Sequence, residues 1–161
     1  MNKELLHQVI IKALIDKHDI AYQATETAMK SATDKENIPE HKYDTLSLEA
    51  AYLAHGQAQR VEQSLQDLQR FKALPVKTYS ERHEIDLGAY IELLDVEREI
   101  VKWFFLSPVA GGLTVEFDGR TVQLLTKESP LGKRLYRKQV GDEVELNIGG
   151  KNTCYEIVTV F

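Results

Sequence analysis

The chain has 161 residues, of which 28% are charged, and a formal net charge of −5. That length fits one or two small domains, and the acidic balance argues against binding nucleic acid through bulk charge. The single cysteine, Cys154, excludes an intramolecular disulfide and a cysteine-rich zinc site. No apolar run approaches the roughly 18 residues of a membrane span, and charges interrupt the apolar residues of the N-terminus. The expected compartment is the cytoplasm, with no membrane partner.

The first predicted element is a helix over residues 3–32. Leu5, Leu6, Val9, Ile10, Ala13 and Leu14 recur at spacings of three and four, and Ile20, Ala24 and Ala28 continue the stripe. Neither Gly nor Pro interrupts it. His7 and His18 lie among charges and read as surface residues. A polar, acidic stretch over residues 31–49 follows, in which Asp34, Glu36, Glu40, Asp44 and Glu49 face only Lys35 and Lys42. Pro39 confirms a break there.

A second helix starts near Asp44 or Thr45 and runs to about Lys72 before Pro75. Leu46, Ala50, Leu53, Val61, Leu65 and Leu68 make its stripe, with Ala54 and Gln57 between them. Gly56 inside it implies either a close helix approach or a bend, and His55 beside it reads as a packing or partner contact. Two helices of this length joined by so short a loop fold back as an antiparallel coiled coil, with the acidic loop at its tip. Each arm would reach roughly 40 Å.

Beyond residues 74–80 the period shifts towards two. Residues 85–87, 90–94, 101–106, 113–117, 121–125, 144–148 and 155–161 read as strands. Asp118-Gly119 and Gly149-Gly150 read as turns. One helix is predicted over residues 130–138, with Ser129 as N-cap and Pro130 in the first helical position. The fold class is α+β: a coiled-coil hairpin over residues 1–75, then residues 76–161 as a mostly antiparallel sheet with one short helix. Trp103, Phe104 and Phe105 read as core residues and Cys154 as a buried structural thiol. Lys133, Arg134, Arg137 and Lys138 would share one face of the short helix by their spacing, as a solvated face or a docking patch for an acidic partner. The tip acids read either as a solvated loop or as ligands to a divalent metal. Mg²⁺ binds through one or two carboxylates and keeps several waters.

Residues 129–144, SPLGKRLYRKQVGDEV, carry a resemblance. The Ser-Pro start, the short helix with Leu135, and Gly141-Asp142 opening a strand resemble the signature of the bacterial Gre-type transcript-cleavage factors, GreA and GreB. The ending CYEIVTVF resembles the closing strand of that family, and residues 48–68, Gly56 included, resemble its descending arm. The resemblance implies an FKBP-like C-terminal domain that docks at the rim of the RNA polymerase secondary channel. Ser129, Pro130, Leu131, Gly132, Arg134, Leu135, Arg137, Gly141 and Asp142 would carry the docking. It also implies a coiled coil that enters the channel, where tip acids help the polymerase hold a Mg²⁺ and cleave the backtracked RNA 3′ end.

The factor itself would be no enzyme, would touch nascent RNA only indirectly, and would act as a monomer without a tightly bound cofactor. Counted back from Gly56, the two tip acid positions of the family read His41 and Asp44 here. Asp44 is therefore the expected catalytic acid and shared Mg²⁺ ligand, with Glu40 or Glu36 as its partner. The alternative reading is a channel regulator that lacks cleavage activity.

Overall fold

The computed structural model describes residues 2–33 and 45–161. Helix α1 spans Lys3–Thr33 and α2 spans Thr45–Lys72. Six strands and a short helix follow: β1 Tyr90–Asp95, β2 Ile100–Leu106, β3 Thr114–Phe117, β4 Arg120–Leu125, α3 Pro130–Leu135, β5 Glu143–Ile148 and β6 Lys151–Val160. The chain forms two compact units. One is Ile11–Gln69; the other comprises Met1–Ile10 and Arg70–Phe161.

The helical unit is an antiparallel pair with a narrow seam. From α2, Ala50, Ala54, Gln57, Val61, Ser64 and Leu68 turn inward, at alternating spacings of four and three. From α1, Leu14, His18, Ala21, Thr25 and Ala28 do the same. That is the spacing of a coiled-coil seam, but small and polar side chains fill much of it. His18 Nδ1 lies 2.9 Å from Ser64 Oγ, whose own proton goes to the Val61 carbonyl at 2.8 Å. The hydroxyl therefore accepts, and His18 donates from Nδ1.

Four members of the expected stripes point elsewhere: Ile20 is 69% exposed, Leu53 56%, Leu5 48% and Leu65 41%. Their spacing also fits a helical period, but the seam follows the alanines. His18 is a seam residue rather than a surface one. At Gly56 an added Cβ would meet no atom within 4 Å, so helix proximity does not require glycine there.

The distinction between Leu53 and Val61 is testable. Val61→Asp places a carboxylate in the seam and should destabilise the helical pair by about 2 kcal/mol. Leu53→Asp, on the exposed side, should stay within about 0.5 kcal/mol. Denaturant titration followed by far-ultraviolet circular dichroism measures both, and equal effects would overturn the seam as drawn.

In the second unit the sheet order is β3-β4-β2-β1-β6-β5. All neighbours are antiparallel except β2 and β4, which run parallel. The sheet is thus mixed: the β2–β3 connection passes β4, and the β4–β5 connection, which carries α3, crosses to the far edge of the sheet. Asp118 and Gly119 take φ of +53° and +70°, and Gly149 and Gly150 take +61° and +80°. Two successive left-handed residues make the turn that matches strand twist in a two-residue hairpin, as the dipeptides predicted. The second of these turns lets β6 begin at Lys151, four residues earlier than the sequence pattern suggests.

Residues 85–87 are not a strand. Ile85 N–H donates to Lys138 O and Ile85 O accepts from Arg137 N–H, so its backbone is satisfied by the segment after α3. Its side chain is fully buried, which is why it mimics a strand in sequence.

The sheet has two covered faces. On one, Ile91, Leu93, Phe104, Leu106, Tyr155 and Ile157 pack with Leu131 and Leu135 of α3. On the other, the His7 ring lies 5.4 Å from Phe71 and 5.3 Å from Phe105, and Tyr90 stacks on Trp103 at 5.1 Å. Leu6 and Ile10 are fully buried in the same unit. His7 is therefore a core residue, contrary to the surface position expected from its charged neighbours. Phe104 and Phe105 are core residues as expected, while Trp103 is half-buried. Cys154 is also half-buried, with Sγ 4.0 Å from Glu143, rather than the fully buried thiol expected.

Burying His7 has a pH consequence. Desolvation, and secondarily the charge of Lys3, hold its imidazole below the ordinary value of 6.5, and its Nε2 is buried without a hydrogen bond. Below 6.5 the unfolded chain takes up the proton before the folded one does. This contribution to stability is present above 6.5 and is lost as pH falls towards the folded value. His7→Phe, which keeps a ring between Phe71 and Phe105, should flatten that acid slope. Unfolding free energies of the two proteins, measured below pH 6.5, test it; parallel slopes would overturn the assignment.

Candidate docking surface

The segment from Thr126 to Asp142 is built by local hydrogen bonds that explain its sequence. Ser129 caps α3: its hydroxyl donates to the Thr126 carbonyl at 2.7 Å and accepts from Gly132 N–H at 3.1 Å. Pro130 sits in the first turn, where its missing N–H costs nothing. Gly132 lies so close to Thr126 that an added Cβ would be 1.9 Å from the carbonyl oxygen. Leu131 and Leu135 point into the core.

Helix α3 ends at Leu135, three residues short of the predicted end. Arg137 adopts φ of +64°, and its N–H leaves the helix for the Ile85 carbonyl. The left-handed residue turns the chain out of the helix. Gly141, at φ +87°, makes the next turn. Asp142 Oδ2 accepts from Gln139 N–H at 2.8 Å, and Gly141 N–H donates to the Ile157 carbonyl at 2.8 Å. These bonds set β5 against β6.

The residues expected to dock thus divide by burial. Leu131, Gly132 and Leu135 are buried, Ser129 and Asp142 are half-buried, and Pro130, Arg134, Arg137 and Gly141 are exposed. Lys133 and Lys138 are exposed beside them. The four cations do not share one helical face, because Arg137 and Lys138 lie past the end of α3. Of the four, Arg137 lies against Tyr136, where Lys127 joins it. Lys127 Nζ sits 4.6 Å from the Tyr136 ring and the Arg137 guanidinium 5.5 Å from it. Among the described residues, none of these five cations is in an ion pair. Such cations suit an acidic surface. The Tyr136 clamp was not foreseen from sequence, although a tyrosine flanked by cations at Lys127 and Arg137 was its signal.

A second cationic feature was also missed. Lys3 Nζ donates to the Lys77 and Phe161 carbonyls, each at 2.6 Å, and lies 4.4 Å from the Tyr79 ring. Burial, and then the charge of Lys77, push its ammonium down to about 7.

The expected tip acids Glu36, Glu40 and Asp44, and His41 between them, lie outside the described residues. Glu49, at the start of α2, is exposed. Among the described residues no group of three or more His, Cys, Asp or Glu side chains is placed to hold a metal ion, and no helix is long and apolar enough to cross a membrane.

No family model matches the chain, and no curated protein matches it. Solved structures do. GreA factor homolog 1 (Gfh1) of Thermus thermophilus is 19% identical, with 94% of each chain covered and a TM-score of 0.40. A structure described as the transcription factor Gfh1 is 18% identical, covering 93% of this chain and 92% of that one, with a TM-score of 0.42. Gfh1 of Thermus aquaticus is 17% identical over 92% of each chain, with a TM-score of 0.40. All three of these solved structures are of Gfh1, which the first describes as a GreA factor homolog.

Proposed function

We propose that this protein is a Gre-type transcription elongation factor that binds bacterial RNA polymerase at its secondary channel and acts on the polymerase rather than as an enzyme itself. The observation that carries the reading is the segment 129–144. Its Gre-like residues Ser129, Pro130, Gly132, Gly141 and Asp142 are spent on holding α3 and the start of β5. That leaves Lys133, Arg134 and Arg137 exposed for a partner. In this reading the helical pair delivers residues 34–44 to the polymerase active site. Asp44, with Glu40 or Glu36, would then help the polymerase hold a Mg²⁺ that activates water for cleavage of backtracked RNA.

The test is a stalled, backtracked elongation complex incubated with the protein and assayed for shortened RNA. Stimulated cleavage is expected. Asp44→Asn keeps a helix-capping side chain but removes the charge, so it should abolish stimulation while polymerase binding persists. Glu36→Gln and Glu40→Gln, made separately, identify the partner acid. His41, at one of the two acid positions, favours a second reading: a channel regulator without cleavage activity. A wild-type protein that gives no cleavage at any Mg²⁺ concentration, yet competes with an active Gre factor for polymerase, establishes that second reading and ends the first.

A further inference from the structure

The parallel pairing of β2 with β4 is incomplete. It begins at Trp103 opposite Val122 and runs to Leu106 opposite Leu125. Residues 100–102 of β2 have no strand partner on that side, although Arg120 and Thr121 of β4 continue their pairing with Phe117 and Glu116 of β3. The sheet splits there. A cleft of about 480 Å³ fills the split, lined by Val101, Lys102, Trp103, Thr114, Arg120 and Thr121 among others. An unpaired run of backbone N–H and C=O groups is a template for another strand.

The cleft's chemistry narrows the occupant. It has two cations and no carboxylate in its lining, in a chain whose net charge is −5. Lys102 is already engaged, with Nζ 3.4 Å from the buried Asp95 carboxylate and 3.1 Å from the Tyr155 hydroxyl. Arg120 is in no ion pair among the described residues. Its guanidinium lies 4.1 Å from the Trp103 ring, which stacks on Tyr90. Trp103 is thus engaged by both Tyr90 and the Arg120 guanidinium. The guanidinium also acts on the Tyr90 hydroxyl, and of its five N–H donors this leaves others for a carboxylate.

We propose that this cleft receives an extended acidic peptide segment of a partner protein, which adds to the free edge of β2 at residues 100–102 and sets a carboxylate on Arg120. The inference does not depend on the polymerase reading, since it rests on the split between β2 and β4 and not on the α3 patch.

Trp103 is the only tryptophan in the chain, so its emission reports the cleft directly. The probe is a capped hexapeptide alternating Val and Glu, titrated into the full-length protein. A saturable change in emission is expected, with slowed hydrogen exchange at residues 100–102. The same peptide with Lys for Glu, and the Glu peptide with alternate N-methylated amides, should each bind at least about tenfold more weakly, the scale of one lost charge-assisted contact. Arg120→Gln should weaken the Glu peptide similarly. If that variant fails to fold, the N-methylated comparison on the wild-type protein still decides the matter. No saturable change, equal binding of the Lys or N-methylated peptide, or the same response to acetate alone would each overturn the proposal.

Discussion

Replacing Gly132 by alanine should lower the stability of the sheet unit by roughly 3 kcal/mol or more, the upper range for forcing an atom into a packed site. For a unit of this size that corresponds to a fall in melting temperature of roughly 12–24 °C. The cause is geometric. The new Cβ would lie 1.9 Å from the Thr126 carbonyl oxygen and 2.7 Å from Ser129 Oγ. Neither is the free end of a flexible side chain. The carbonyl accepts from both Ser129 N–H and Ser129 Oγ, and that hydroxyl accepts from Gly132 N–H. Moving the turn breaks the cap, and without the cap Leu131 and Leu135 lose their hold on the core beneath them. Gly56→Ala is the matched control. No atom lies within 4 Å of its added Cβ, so it should be neutral or stabilising by up to about 1 kcal/mol, the helix-propensity difference. Thermal unfolding monitored at near-ultraviolet wavelengths gives both values. Similar melting temperatures for the two variants would refute the packing described for the Thr126–Ser129 turn.

The same segment shows what a sequence discloses and what it withholds. Ser129 and Pro130 were legible because an N-cap and a first-turn proline act on their own chain neighbours. The end of α3 was not, because it depends on Arg137 leaving the helix to meet Ile85, some fifty residues away. Ile85 was misread as a strand for the reciprocal reason: burial makes a residue apolar whether or not it lies in a sheet. His7 failed differently. Its neighbours Lys3, Glu4 and Lys12 mark an exposed helix, yet it lies one turn from each of Lys3 and Ile10, on the side that meets Phe71 and Phe105. In the helical pair the choice between two apolar stripes turned on alanines. Periodicity weighted the leucines Leu53 and Leu65, but the seam admits small side chains and leaves those leucines exposed. The acids at Glu36, Glu40 and Asp44 rest on the sequence resemblance alone, since they lie outside the described residues.

Reversing the charge at Lys133 and Arg134 together should weaken polymerase binding by about tenfold or more at low ionic strength, with the loss shrinking as salt is added. Exposed charges act mainly on the encounter rate, and salt screens them within about 10 Å at 0.1 M. Both side chains lie on the exposed side of α3, while its opposite side is anchored in the core by Leu131 and Leu135. The double variant should therefore fold normally, and an unchanged melting temperature would establish that the effect is on binding. Arg137 needs a separate substitution because its backbone is left-handed. Arg137→Asn keeps a residue that tolerates this conformation while removing the charge. If the patch around Tyr136 is one surface, Arg137→Asn should add to the loss and flatten the salt dependence further. If only the helix face docks, the Asn variant should bind like wild type while the Lys133 and Arg134 pair still fails. Lys151→Glu, at the β5–β6 turn, controls for a charge reversal made outside α3, at half the change in net charge of the double variant. Equal affinities and equal salt slopes for wild type, the double reversal and this control would remove α3 from the docking surface, and with it the observation on which the polymerase reading rests.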